Sequence, residues 1–260
     1  MDVPNDLSRL KIGEIKKQVD ALALEGYPSW IERLKQDPRK GVNKLADVLE
    51  KRQSKLAVEK EKIIEKKKIE RRLNQKGYVK ICGIDEVGRG PLAGPVVCAA
   101  VMMPEDSMLL HIDDSKKVSA SRREHLAKLI KEEAIAWAIG EISPEQIDHV
   151  NILEATKEAM GQAVGQLTIE PDLLLIDALS IPSTIPVKPV IHGDAICYSI
   201  GAASIVAKVY RDHLMMALHQ KYPQYGFDHN MGYGTAEHIA ALKKYGPTPI
   251  HRRSFIAHIL

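Results

Sequence analysis

An apolar run that ends in two adjacent carboxylates constrains this chain more than any other feature. Residues 78–84 are strand-like, Asp85 and Glu86 follow, and the next residues read Val-Gly-Arg-Gly-Pro-Leu-Ala-Gly-Pro. Carboxylate oxygens at the end of a strand suit hard divalent cations, and exposed amides beside an arginine suit a phosphate or a sugar hydroxyl. The segment favours metal-dependent phosphodiester chemistry, although a turn rich in glycine and proline is often only a turn.

From residue 76 onward, short β-branched apolar segments alternate with helical patterns. This alternation predicts an α/β fold, in which a sheet is covered by helices on both faces. The predicted strands cover 78–84, 95–103, 134–142, 172–176 and 187–192, and the predicted helices cover 121–133, 152–167, 199–218 and 235–244.

The first 73 residues are helical in pattern and basic in charge. Helices are expected over 7–24, 29–35 and 41–73, and residues 1–73 carry 19 lysines and arginines against 13 acidic residues, whereas the whole chain has a net charge of only +3. The chain is therefore expected to divide into an extension, 1–73, and a second domain, 74–260. The charged run 59–68 is interpreted either as a solvated linker helix or as a surface that binds nucleic acid.

Composition excludes several classes of protein. The chain is 45% apolar, which supports a buried core, but no apolar run approaches the ~20 residues that span a bilayer. Its first six residues lack the basic and apolar regions of a signal peptide. Cys82, Cys98 and Cys197 lie in apolar segments without metal-type spacing, so we expect buried thiols and a cytoplasmic protein.

Aspartates follow two further predicted strands. Asp177 comes after residues 173–176, and Asp194 follows the segment 190–193. In α/β sheets, ligand sites lie beyond the carboxyl ends of the strands, so these acids are expected near Asp85 and Glu86. Neighbours on a regular strand face opposite sides, so Glu86 is expected to join Asp85 only if the backbone bends there.

Several ordered motifs resemble those of bacterial ribonuclease HII over about residues 78–258. The resemblance implies a ribonuclease H-like mixed five-stranded sheet flanked by helices, with an α-helical N-terminal extension. Ribonuclease HIII is the alternative, but it carries a different glycine motif and a sheet-containing N-terminal domain. The matching segments are Ile84–Pro95, Asp114-Ser-Lys-Lys, Asp177-Ala-Leu, Gly193-Asp-Ala, Ala202–Asp212, Gly232-Tyr-Gly-Thr and Gly246–Ser254.

The resemblance implies the chemistry of the acids. Asp85, Glu86, Asp177 and Asp194 match the family's catalytic, metal-binding carboxylates, which hold two ions. Mg²⁺ or Mn²⁺ suits such an all-oxygen site, whereas Zn²⁺ would recruit histidine or cysteine. The expected products carry a 3′-hydroxyl and a 5′-phosphate.

The resemblance also implies how the substrate is recognised. Gly88, Arg89 and Gly90 match the segment that reads the ribose 2′-hydroxyl, and Tyr233 matches a tyrosine that stacks on the following deoxynucleotide sugar. From the residues alone, Tyr233 could equally be a core aromatic in a glycine-rich loop.

Two polar clusters are further candidates for substrate contacts. Ser115, Lys116 and Lys117 match a phosphate-binding segment, although a solvated loop is an equally good interpretation. Ser204, Lys208 and Arg211 recur at i, i+4 and i+7, on one face of a helix, and form either a phosphate contact or a surface stripe. Asp212 is expected to form an ion pair.

We therefore expect a monomeric endonuclease that hydrolyses the RNA strand of RNA–DNA hybrids and nicks 5′ to ribonucleotides embedded in duplex DNA. Nucleic acid is its expected partner, with no membrane association, in ribonucleotide removal. The competing hypotheses are a non-catalytic nucleic-acid binder with a vestigial acid cluster and a metal-dependent phosphatase of small molecules.

Overall fold

The computed structural model describes residues 7–260, so the six residues that lack signal-peptide features lie outside the described part. The chain forms two compact units, Met1–Lys62 and Ile63–Leu260. None of the helices described is both long and apolar enough to cross a bilayer.

The first unit is helical. Its elements are α1 (Ile12–Asp20), a 3₁₀ turn (Leu24–Gly26), α2 (Tyr27–Gln36) and most of α3 (Lys40–Lys66). The first helix is shorter than the expected 7–24, and Pro28 lies in the first turn of α2, where a missing N–H costs nothing. Trp30, Leu34 and Leu49 are buried in a core of this unit.

The second unit begins with the end of α3 and with α4 (Lys68–Asn74). The expected helix 41–73 is thus interrupted at Lys67. The interpretation of 59–68 as solvated is wrong for two lysines: Lys66 donates to Asp113 Oδ1 at 2.9 Å and Lys67 donates to the Ser107 carbonyl at 2.7 Å. Both side chains are buried, and these acceptors compensate for the loss of water around each ammonium group.

A mixed five-stranded sheet, with strand order β3-β2-β1-β4-β5, forms the centre of the second unit. The β1–β2 and β2–β3 pairs are antiparallel, whereas β1–β4 and β4–β5 are parallel. The strands are β1 (Ile81–Val87), β2 (Val96–Met102), β3 (Ala136–Ile142), β4 (Leu173–Asp177) and β5 (Val187–Val190).

Helices cover both faces of this sheet, as the alternating pattern predicted. Ala99 and Val101 pack in one core with the long α9, whereas Cys98 and Ala100 pack in a second core with α7, because successive side chains of β2 face opposite sides. The helices are α5 (Ala120–Glu133), α6 (Pro144–Val150), α7 (Ile152–Gly165), α8 (Gly193–Ile196), α9 (Tyr198–Lys221), α10 (Phe227–Asn230), α11 (Ala236–Tyr245) and α12 (Arg253–Ile256).

Two strand boundaries differ from the sequence prediction at functionally important places. β1 extends to Val87, so Asp85 and Glu86 lie within the strand rather than after it. β5 ends at Val190, because His192 adopts a left-handed conformation (φ 56°) and starts α8. Asp194 therefore lies in the first turn of a short helix, and only Asp177 ends a strand.

Candidate active site

One cleft of the second unit gathers most of the predicted site residues. It contains all four predicted carboxylates, and the other residues come from the glycine turn, the loop before α5, α9 and the loop after α10. The lining residues are Asp85, Glu86, Val87, Gly88, Arg89, Gly90, Ser115, Lys116, Asp177, Asp194, Ser204, Lys208 and Tyr233.

Asp85 and Glu86 both line this cleft, although no bulge in β1 redirects either side chain. The antiparallel register of β1 with β2 is unbroken from Gly83 to Val87, so no bulge separates the two acids. The parallel ladder with β4 ends at Ile84, which leaves the other edge of β1 unpaired beyond that residue. We infer that the side chains of Asp85 and Glu86, which start on opposite faces of the sheet, meet at the unpaired edge of β1 and so enter the same cleft.

The carboxylates on β1 carry strongly unfavourable charge. Burial raises the pKa of Asp85 well above its ordinary value, and the neighbouring Glu86 raises that pKa further, while the Ser204 hydroxyl lowers it. Burial also raises the pKa of Glu86, against the opposing effect of Arg89, whose guanidinium lies 3.2 Å from Glu86 Oε1. The other oxygen, Oε2 of Glu86, is buried and has no hydrogen-bond partner among the described residues.

Asp177 and Asp194 are connected through the start of α8. The Gly193 amide donates to Asp177 Oδ1 at 2.7 Å, which orients the carboxylate at the end of β4. Burial raises the pKa of Asp194, and the charges of Asp114 and Asp177 raise it further. Asp114 is thus a fifth acid near the cleft, and it had no predicted role.

The acids suit a divalent cation by their chemistry. Within residues 7–260, no three acidic, histidine or cysteine side chains converge closely enough to form a complete metal cage. The donor set is nevertheless all oxygen, and the buried Glu86 Oε2 has a lone pair with no partner. Buried like charges of this kind are stabilised when a cation joins them, so the residues fit Mg²⁺ or Mn²⁺.

The two glycines of the turn after β1 differ in how closely the protein surrounds them. Gly88 has a φ of +89°, and a Cβ there would lie 2.2 Å from Arg211 Nε, so internal packing requires glycine. A Cβ on Gly90 would meet only Tyr233 Cε1, at 3.8 Å. Inside the protein a side chain at Gly90 is therefore tolerated, and only a molecule in the cleft would need that space.

Tyr233 presents its side chain to the cleft. It is 44% exposed, so the alternative of a core aromatic is wrong. Its backbone is fixed from both directions: the Tyr233 amide donates to the Asn230 carbonyl at 2.8 Å, and the Tyr233 carbonyl lies 2.9 Å from His238 Nδ1. Hydrogen bonds to its main chain therefore hold Tyr233 in place, and its exposed ring offers a surface on which a substrate could stack.

Two buried histidines support that loop. The Tyr233 carbonyl can only accept, so His238 Nδ1 carries a hydrogen; His238 Nε2 then accepts from His251 Nε2 at 3.0 Å, and His251 Nδ1 accepts from the Thr248 amide. Burial lowers the pKa of both rings, to about 4 for His251, where the neighbouring His238 also contributes. Both histidines are therefore neutral at pH 7.

The remaining candidates for substrate contact divide into two groups. Ser115 and Ser204 are buried at the base of the cleft with their hydroxyl oxygens 3.1 Å apart, and Lys116 and Lys208 line its wall. Lys117 is exposed and does not line the cleft. Lys208 forms an ion pair with Asp212 at 2.7 Å, as expected of Asp212.

The structure does not bring Arg211 to the cleft surface. Its side chain is completely buried, and its guanidinium donates to the carbonyls of Ala93, Pro95 and Met231. Of the three residues expected on one face of α9, Arg211 is therefore the one that does not line the cleft. The spacing of residues predicts which of them share a helical face, but it does not predict which faces other elements cover. Arg211 supports the glycine turn from behind.

Arg252 and Lys66 are residues near the site that had no predicted role. Arg252 is buried behind the glycine turn, and Lys66 connects Asp113, before the Ser115–Lys117 loop, with the carbonyl of Ala195, next to Asp194. Arg252 falls in the segment Gly246–Ser254, whose family resemblance was the only signal. Lys66 lies in a charged helical run, where no spacing distinguishes it.

Known proteins match both parts of the chain. The family model described as ribonuclease HII matches residues 82–258, and the model of the ribonuclease HII N-terminal domain matches residues 11–74. The ribonuclease HII of Lactobacillus johnsonii is 52% identical over 250 residues, which cover 96% of this chain and 95% of that protein. The ribonuclease HII of Lactobacillus delbrueckii subsp. bulgaricus is 49% identical over 246 residues, or 95% of each chain.

Solved structures share the fold. The ribonuclease H2 of Pyrococcus horikoshii OT3 superimposes with a TM-score of 0.59 at 27% identity, covering 69% of this chain and 96% of that one. Bst-RNase HIII in complex with Mn²⁺ gives a TM-score of 0.51 at 19% identity, covering 70% and 68%. At that identity the second likeness concerns the fold alone.

Proposed function

The chain belongs to the ribonuclease HII family and is a hydrolase that cuts RNA–DNA hybrids internally, and we propose that it also nicks duplex DNA 5′ to embedded ribonucleotides. The observation that carries this proposal is the meeting of two kinds of residue in one cleft. Buried acids with uncompensated charge lie beside an open glycine, Gly90, and an exposed aromatic ring, Tyr233. A cutting site and a sugar-reading site are thus adjacent.

Asp85, Glu86, Asp177 and Asp194 are the proposed metal-binding and catalytic residues. When bound, two divalent ions supply an activated water and stabilise the leaving oxygen, which gives 3′-hydroxyl and 5′-phosphate ends. Burial, with a smaller contribution from neighbouring acids, raises the pKa values of Asp85, Glu86 and Asp194, and a bound Mg²⁺ or Mn²⁺ would stabilise their charged forms. The structural neighbour Bst-RNase HIII was solved in complex with Mn²⁺, one of these two ions.

The other residues of the cleft are proposed to bind and orient the substrate. Lys116 and Lys208 lie where they can contact phosphates of the nicked strand, and Ser115 and Ser204 hold the base of the cleft beside Asp85. The turn 88–90 reads the 2′-hydroxyl, the group that distinguishes RNA from DNA, and Tyr233 stacks on the next sugar. Lys117 is exposed beside this surface and is proposed to contact phosphate more weakly.

We propose further that the protein acts as a cytoplasmic monomer in ribonucleotide removal during DNA replication and repair. The basic extension, residues 1–73, is proposed to add electrostatic attraction for the phosphate backbone.

One assay tests the proposal against its alternatives. The substrate is a labelled DNA duplex with a single ribonucleotide, incubated with Mg²⁺ or Mn²⁺ and then with excess EDTA, and the same duplex without the ribonucleotide is the control. We expect one nick 5′ to the ribonucleotide, abolished by EDTA, and none in the control. Binding without a nick would favour a non-catalytic binder, and hydrolysis of only small phosphate esters would favour a phosphatase.

A further inference from the structure

The underside of the glycine turn is occupied by the side chain of Arg252. This side chain is completely buried, and in the described part of the chain no carboxylate forms an ion pair with it. Its guanidinium instead donates to three backbone carbonyls: Nη2 to Gly88 at 2.5 Å, Nη1 to Arg89 at 2.8 Å, and Nε and Nη2 to Gly94 at 3.0 and 2.8 Å.

Burying a guanidinium costs free energy of desolvation unless hydrogen bonds or opposite charges compensate for it. Burial, together with the nearby charge of Arg211, lowers the pKa of Arg252 to about 9, so the group remains charged at pH 7. The four hydrogen bonds satisfy most of its donors and fix the turn from Gly88 to Gly94. A neutral apolar side chain would fill the same volume but could not hold these carbonyls.

The geometry of the peptide bond connects Arg252 with the cleft. In a planar trans peptide, the carbonyl of one residue and the amide of the next point in opposite directions. Arg252 binds the consecutive carbonyls of Gly88 and Arg89, whose peptide bonds are trans, so the amides of Arg89 and Gly90 point away from it. Neither amide donates to an acceptor within residues 7–260.

Both amides belong to residues that line the cleft. Consecutive carbonyls alternate in direction along an extended strand, whereas here the carbonyls of Gly88 and Arg89 face the same side and accept from one guanidinium. The result is a pair of adjacent N–H donors, a concave arrangement that suits an oxygen ligand.

We propose that Arg252 is a positioning residue for ribonucleotide recognition, because it aims the Arg89 and Gly90 amides at the ribose oxygens of the ribonucleotide. Arg252 itself is too deeply buried to touch the substrate. This inference rests on the proposed function, in which the turn 88–90 reads the 2′-hydroxyl.

The first test compares the full-length protein with its Arg252→Lys variant in Mg²⁺. Lysine keeps the charge but cannot span three carbonyls. Two constants are measured: KM for nicking the duplex with one ribonucleotide, and the inhibition constant of the all-deoxy duplex as a competitor. We expect KM to rise roughly tenfold while the inhibition constant stays unchanged, because only the ribonucleotide loses hydrogen bonds. Arg253→Lys, at an exposed neighbouring position, should match the wild type.

The outcomes separate the two proposals. A variant that is merely less folded would lose kcat and leave both constants unchanged, and an unchanged ratio of these constants in a folded Arg252→Lys protein would overturn the role of Arg252. If the wild type itself fails to nick the ribonucleotide duplex, the proposed function is wrong instead.

A second measurement keeps the inference testable if the variant does not fold. Amide hydrogen exchange of residues 88–90 is followed in the wild type, in EDTA, when it is saturated with either duplex. Exchange at Arg89 and Gly90 should slow more with the ribonucleotide duplex than with the all-deoxy duplex. Equal exchange with both duplexes would refute the orientation of these amides toward the ribonucleotide.

Discussion

The two sides of the cleft are built in different ways. On the acidic side, Asp85, Glu86 and Asp177 lie on the paired strands β1 and β4, so the backbone ladder fixes their positions. On the reading side, the turn 88–90 and the Tyr233 loop have no regular structure, and hydrogen bonds from buried Arg211, Arg252 and His238 hold their carbonyls. The acidic side takes its order from backbone pairing within the sheet, whereas the reading side takes its order from buried side chains that bind its carbonyls.

The electrostatics of the two sides differ as well. Burial and neighbouring acids raise the pKa of Asp85, so this side holds unfavourable negative charge. The reading side holds buried positive charge whose partners are carbonyl dipoles. We infer that the acids are arranged to bind a cation from solution, whereas the buried arginines are arranged to donate hydrogen bonds to the protein's own backbone carbonyls. Substitutions on the two sides should therefore have different consequences for activity and stability.

Asp85→Asn should have the largest effect on activity and should break the acidic side alone. The amide has the same shape but cannot hold a cation as a carboxylate does, so we expect nicking of the one-ribonucleotide duplex to fall by roughly 10³-fold or more. The rate is measured at saturating Mg²⁺. A variant with wild-type activity would contradict the assignment of the metal-binding carboxylates.

The same variant should be more stable than the wild type in EDTA at alkaline pH. Because the pKa of Asp85 is raised in the folded state, the folded protein binds more protons than the unfolded chain above the unfolded pKa, and stability falls as the pH rises. Asparagine removes this loss, so the melting temperature should increase by a few degrees at pH 8 and change little near pH 2, where Asp85 is protonated in both the folded and the unfolded state. A lower melting temperature at pH 8 would indicate that Asp85 is stabilised by the fold.

Tyr233→Ala should affect the reading side alone, with an intermediate effect. Loss of a stacking surface is expected to lower kcat/KM on the one-ribonucleotide duplex roughly 10-fold to 100-fold, with little change in melting temperature because the ring is exposed. Tyr233→Phe, which keeps the ring, should retain most of the activity. Tyr245→Ala removes another exposed ring outside the cleft and serves as the control; an equal loss in both alanine variants would argue against stacking.

Neutralising three exposed lysines of α3 should have the smallest effect on activity, and these lysines lie outside the two sides of the cleft. Lys44, Lys51 and Lys55 are exposed on α3, and their spacing puts them on one face. Replacing all three with glutamine should weaken hybrid binding a few-fold at low salt and flatten its salt dependence, whereas the triple arginine variant should behave as the wild type. An unchanged salt slope would exclude this face from phosphate binding.

The sequence was sufficient where order is local. Alternating apolar segments predicted the five strands and the covering helices, and the carboxylates of β1 and β4 were found because strand ends are visible as ends of apolar runs. The mixed order of the sheet came from family resemblance, and the structure confirms it. Helix boundaries near Gly26 and Lys67 were less accurate, since tertiary contacts decide where such helices stop.

The sequence by itself determined which chemistry this chain can perform, because carboxylate, glycine and aromatic side chains at given positions along strands and turns carry that information locally. Tertiary structure alone decided that Asp85 and Glu86 share a cleft, and that Arg211 is buried instead of lining it. It also decided that Arg252 lies beneath a turn more than 150 residues away in sequence. Burial and long-range hydrogen bonds depend on which surfaces meet, and no periodicity within a single helix or strand specifies that.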